Sequence, residues 1–114
     1  MFDPTADRYT AHLSPAGSIY VRTVALDNLV SRNEICPPDF VKIDIEGAEY
    51  DCLLGCAQTI QKYCPVIFLA THGPEIHDAC LKLLADWEYD VRSLDERSPK
   101  QSDELVANPG RRSE

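Results

Sequence analysis

Asp44 and Glu46 stand at alternate positions just before Gly47 in the run Phe40–Glu49, FVKIDIEGAE. A histidine, His72, follows a second apolar run and precedes Gly73-Pro74. Carboxylates and imidazoles are the side chains that move protons near neutral pH, and the same groups ligate metal ions. Asp44 ends a segment otherwise built from Val and Ile, where an isolated carboxylate is costly to bury. It therefore needs a compensating partner: a metal, a cationic ligand or backbone donors from a following helix. The structural role open to this pair is capping, because acids favour the positive end of a helix starting near Gly47. We expect one of the two to cap that helix and at least one to take part in chemistry.

His72 has two readings of similar weight. It can act as a general base or as a metal ligand beside Asp44, and it can be a hydrogen-bonded loop histidine. His12 lies in an irregular lead-in and His77 is expected on a helix's outer face, so both have weaker claims. Glu49 falls in a first helical turn and reads as a capping group. Lys42 points away from Val41, Ile43 and Ile45 and carries no assigned chemistry. Thr23, Asp27 and Asn28 read as strand-end and capping residues.

The elements that must position these groups follow from hydrophobic periodicity. Residues 1–18 are broken by Pro4, Pro15 and Gly17. The β-branched run Ile19–Leu26 reads as a strand, with Asp27 capping a short helix through Ser31. Phe40–Ile45 alternates as a strand, and Ala48–Tyr63 has the spacing of one amphipathic helix, with Leu53, Cys56, Ala57 and Ile60 on its apolar side. Val66–Ala70 is an unbroken apolar run, typical of a central strand. Pro74 opens a second long helix, with Ile76, Ala79, Cys80, Leu83, Leu84 and Trp87 on its apolar side. Tyr89–Leu94 and Glu104–Ala107 read as strands around a polar segment, and the tail from Asn108 reads as frayed. Strands alternating with helices predict βαβ units and a mainly parallel sheet. Ligands of such sheets bind outside the carboxyl ends of the strands, where Asp44, Glu46 and His72 fall.

The chain has 114 residues, room for one small domain, and a net charge of −8. That balance argues against a nucleic-acid module, which needs a cationic face. No run is long and apolar enough to span a membrane, and residues 1–13 lack a signal-peptide pattern. Five cysteines without C-x-x-C spacing read as reduced, small apolar residues of a cytoplasmic protein. Cys52 and Cys56 share a helix face, a thin basis for a thiolate metal site. No P-loop, G-x-S-x-G or H-E-x-x-H motif occurs.

Three runs together carry a family likeness: TVALDNLV at 23–30, PDFVKIDIEGAEYDCLLG at 38–55 and PVIFLATHG at 65–73. They resemble the C-terminal half of FkbM-type methyltransferases, over about residues 19–94. The resemblance implies a class I methyltransferase fold: Rossmann-like, three-layered, with a mostly parallel sheet whose fourth and fifth strands are Phe40–Ile45 and Val66–Ala70. It implies S-adenosylmethionine as the methyl donor and a hydroxyl of a small molecule or sugar as acceptor. Asp44 and Glu46 would then lie beside the methyl-transfer centre with His72 across from them, and Asp44 or His72 would take the hydroxyl proton. No resident metal is expected.

Class I enzymes hold the cofactor with a glycine-rich turn after their first strand and an acid after their second, and neither occurs in this sequence. We therefore expect a chain lacking the N-terminal strands, organised as a lead-in over 1–18, a partial methyltransferase domain over 19–107 and a polar tail over 108–114. An apolar sheet edge left open in this way favours a homodimer, and activity of the chain alone is open. Two other classes fit the residues: a non-catalytic α/β module that docks through that edge, and a metal-dependent hydrolase using Asp44, Glu46 and His72.

Overall fold

Side-chain alternation over one apolar layer sets the place of the described strands. The computed structural model describes residues 24–110. Four helices and four strands follow in the order α1 (Leu26–Ser31), β1 (Phe40–Ile43), α2 (Glu49–Leu54), α3 (Ala57–Tyr63), β2 (Val66–Ala70), α4 (Pro74–Asp86), β3 (Tyr89–Ser93) and β4 (Glu104–Pro109). The fold is mixed α/β with a four-stranded sheet in the order β1-β2-β4-β3.

The expected mainly parallel sheet is corrected by the pairing. β1 pairs parallel with β2, whereas β2–β4 and β3–β4 are antiparallel. Strands β1, β2 and β3 therefore point the same way, and β4 alone runs against them, inserted between β2 and β3. The cause lies in the connection: the segment after β3 is too short for a crossover helix, so the chain turns back and pairs antiparallel.

Register puts Ile43, Leu69 and Leu105 in one row across the sheet, and Ile67 and Ala107 in the next. These side chains are buried together with Leu53 of α2, Ile60 of α3, and Cys80 and Leu84 of α4. The helices that build this core thus lie on one face of the sheet, and the described residues form two layers instead of the expected three. Val66–Ala70 forms β2 with both ends as expected, bounded by Pro65 and by the end of its apolar run.

Other boundaries moved. Most of Ile19–Leu26 lies outside the described residues; within them Leu26 begins a helix capped by the extended Ala25, not by Asp27. The predicted helix Ala48–Tyr63 divides at Gly55-Cys56 into α2 and α3. In an unbroken helix the Thr59 N–H would donate to the Gly55 carbonyl. Here the Gly55 carbonyl accepts from the Asp27 N–H at 3.0 Å. The N–H groups of Gln58 and Thr59 donate to the Asp27 carboxylate at 2.9 and 2.7 Å. Asp27 caps α3 from another element. β4 extends to Pro109 and removes Asn108 from the expected tail. All five cysteines are free thiols, and among the described residues no helix is long and apolar enough to cross a membrane.

Candidate active site

The turn from β1 into α2 is sharply bent. Glu46 adopts φ 58° and Gly47 φ 104°, the left-handed region that favours glycine. This bend swings the chain so that Glu49, the first residue of α2, reaches back to the end of β1. Its carboxylate accepts the N–H of Ile45 at 3.0 Å and of Gly47 at 3.2 Å. Glu49 is completely buried. The expectation that Asp44 or Glu46 caps this helix is corrected: the N–H groups of the turn go to Glu49.

The second wall comes from the segment after β2. Thr71 donates its N–H to Asp103, and His72 projects toward the β1–α2 turn. His72 Nδ1 lies 2.7 Å from Glu49 Oε2. With the carboxylate accepting, Nδ1 carries the proton, which leaves Nε2 as the nitrogen that can take or give another. Nε2 stands 3.6 Å from Asp44 Oδ1 and 3.8 Å from Glu46 Oε2, close enough for charge attraction and too long for a hydrogen bond. Asp44 is half exposed and Glu46 almost fully so. The structure thus brings Asp44 and Glu46 together with His72, across the three intervening elements α2, α3 and β2.

Sequence reading undervalued Glu49. Its capping chemistry was visible, but its burial and its contact with a histidine 23 residues away were not. Burial alone would push the Glu49 carboxyl up; hydrogen bonds from His72, Ile45 and Gly47 outweigh it and hold the group below its ordinary range. The hydrogen bond to Glu49 raises the His72 imidazole, offset in part by desolvation and reinforced by the charges of Glu49, Glu46 and Asp44.

One ligand atom each from Asp44, Glu49 and His72 lies within 4.8 Å of the others, a spacing that would admit a cation. Glu49, however, already commits its oxygens to His72, Ile45 and Gly47. The arrangement is better described as a hydrogen-bonded carboxylate–imidazole pair with two acids at its open end.

His72 also lines a cleft of about 460 Å³, whose opposite wall is the β3–β4 connection, including Lys100, Gln101, Ser102 and Asp103. His77 lies beneath it, buried, against the expectation of an outer-face position. It shares a stripe with Cys80 and Leu84, three and seven residues on, so α4 turns it inward.

A mixed α/β fold with a four-stranded sheet whose strand ends carry this pair is consistent with a methyltransferase domain. The Methyltransferase FkbM domain model matches residues 3–91, and the chain belongs to that family. The hexuronic acid methyltransferase AglP of Haloferax volcanii is 34% identical over 83 residues, 73% of this chain. That alignment covers 34% of AglP, so the chain spans about a third of this relative's length. No solved structure matches the chain significantly.

Proposed function

We propose that the chain forms the acceptor side of an S-adenosylmethionine-dependent O-methyltransferase, with His72 as the base that takes the acceptor's hydroxyl proton. The observation that carries this reading is the buried Glu49 on His72 Nδ1, which fixes the tautomer and leaves Nε2 as the open nitrogen of a ring that lines the cleft. When bound, S-adenosylmethionine supplies a methyl group on a positively charged sulfur, and transfer leaves the C–S electron pair on that sulfur. The donor set suits such a cation: among the described residues, Asp44 and Glu46 make no ion pair with Lys or Arg. A residue set for the adenosine end is not found among the described residues.

The remaining steps belong to the chain. His72 Nε2 accepts the hydroxyl proton as the oxygen attacks the methyl carbon in line. Glu49 stabilises the imidazolium that forms, as a buried carboxylate hydrogen-bonded to the ring. Asp44 and Glu46 sit where the proton arrives and favour its retention on the ring. AglP is named for a hexuronic acid, which offers both hydroxyls and a carboxylate. A carboxylate is already ionised near neutral pH and needs no base; a hydroxyl does. The His72–Glu49 pair therefore favours a sugar hydroxyl as the acceptor.

Among the described residues β1 has one edge without a partner strand, which supports self-association as a homodimer, and five free thiols suit a reducing, cytoplasmic setting. The test is methyl transfer from labelled S-adenosylmethionine to a sugar panel. Transfer that falls by about a hundredfold in His72→Ala supports the reading. A folded chain that neither binds S-adenosylmethionine nor transfers its methyl group overturns it.

A further inference from the structure

His77 takes no part in the chemistry proposed for His72, yet it is buried and bonded at both nitrogens. Its Nε2 lies 2.7 Å from the Pro99 carbonyl, which can only accept, so Nε2 carries the proton. Its Nδ1 then accepts from the Thr71 hydroxyl at 2.7 Å. A residue at the end of β2 is thereby tied, through a ring in α4, to the loop before β4. The same loop is held from within. Ser102 is fully buried and donates its hydroxyl to Asp95 at 3.0 Å, while the N–H groups of Gln101 and Ser102 donate to Ser98 at 2.9 and 3.0 Å. Asp95 is held down to about 2 by hydrogen bonds from the Arg97 side chain and backbone, so it stays ionised as an anchor.

The residue displayed by this braced turn is Lys100. It lines the same cleft as His72 and is the one Lys or Arg among the lining residues. Its ammonium makes no ion pair with a described residue, although Asp78 and Asp103 line the cleft as well. Of the residues lining the cleft Asp78 and Asp103 are acidic and Lys100 alone is cationic, so an anionic ligand is repelled unless its charge meets Lys100. We propose that Lys100 determines acceptor specificity by pairing with the carboxylate of an acidic sugar, which places a ring hydroxyl at His72. His77 is the positioning residue that fixes the Lys100 turn. This subsite rests on the proposed sugar-hydroxyl acceptor, and it adds the group that tells an acidic sugar from a neutral one.

The test is binding, read by NMR titration of the whole chain with D-glucuronate and with D-glucose, without cofactor. The wild type is expected to bind glucuronate about tenfold tighter than glucose, the scale of one charge-assisted contact. Lys100→Ala removes the preference, Lys100→Glu reverses it, and Lys100→Arg keeps it. His77→Leu reduces the glucuronate-to-glucose ratio, which a merely structural role would leave unchanged while lowering the melting temperature. Equal binding of both sugars by the wild type, no binding of glucuronate, or a preference that survives Lys100→Ala overturns the proposal. A preference lost in Lys100→Ala in a chain that transfers no methyl group keeps the subsite and removes the reaction. Methyl transfer with no difference between the two sugars keeps the reaction and removes the subsite.

Discussion

Glu49 Oε2 and His72 Nδ1 meet at 2.7 Å, joining the first turn of α2 to the loop after β2. The carboxylate has no contact with solvent, while the ring remains partly open to the cleft. Glu49→Gln keeps the shape and an acceptor oxygen but removes the charge that raises His72. The His72 midpoint, followed by NMR of its ring protons, is expected to fall toward the ordinary 6.5. If His72 is the base, methyl transfer rises with pH through the raised midpoint, and the variant moves that rise to lower pH. An unchanged midpoint in Glu49→Gln would remove the pair from the mechanism.

The same pair makes stability depend on pH in a defined direction. His72 is raised on folding, so its contribution is complete below 6.5 and is lost as pH rises through the raised value. Glu49 is lowered, so its contribution is complete above 4.5 and is lost as pH falls through the lowered value. Both are therefore present together between 4.5 and 6.5. Urea denaturation of wild type and Glu49→Gln across pH 3 to 9 (about that range suffices) should show the largest gap inside this window. A gap that does not vary with pH would show that the pair is uncoupled in the folded chain.

Asp27 offers a test of the fold away from the site. Its carboxylate accepts the first free N–H groups of α3 at 2.9 and 2.7 Å, from Gln58 and Thr59. Asp27→Ala leaves both donors without their acceptor and is expected to cost about 1 to 2 kcal/mol, as for other helix caps. Asp27→Asn retains an acceptor oxygen and should recover much of that loss. Urea midpoints measure both, and methyl transfer by the folded variants should remain unchanged.

The residues show why some of this was legible in sequence and some was not. Val66–Ala70 was read with both ends correct because five apolar residues between Pro65 and Thr71 carry their own boundaries. The approach of Asp44 to His72 was foreseeable because the two follow adjacent parallel strands and so fall at the same end of the sheet. Periodicity could not reveal the break at Gly55, since the competing partner of its carbonyl is the Asp27 N–H, far away in sequence. Nor could it show that β4 returns antiparallel, because a strand's alternation is the same in both directions. His77 was misplaced because histidine counts as polar, whereas two hydrogen bonds make this one acceptable in the core. Glu49 was half read: the cap was local, and the histidine it orients was not.

The open edge of β1 leads to the last prediction. β1 pairs with β2 on one side and with no described strand on the other. Phe40, at its start, is 68% exposed, and Ile45 just past its end is 44% exposed. An edge strand with unpaired backbone groups and an apolar flank pairs readily with a second copy. Association should then depend on concentration in sedimentation velocity, with the dimer growing over a micromolar series. Phe40→Lys places a charge on the edge, a common natural block to such pairing, and should shift the population to monomer by about tenfold in dissociation constant. Because Phe40 is exposed, the substitution should leave the melting temperature of the monomer nearly unchanged. A dimer that survives Phe40→Lys unweakened would show that the contact lies elsewhere, and a chain monomeric at every concentration would remove the edge from any role in assembly.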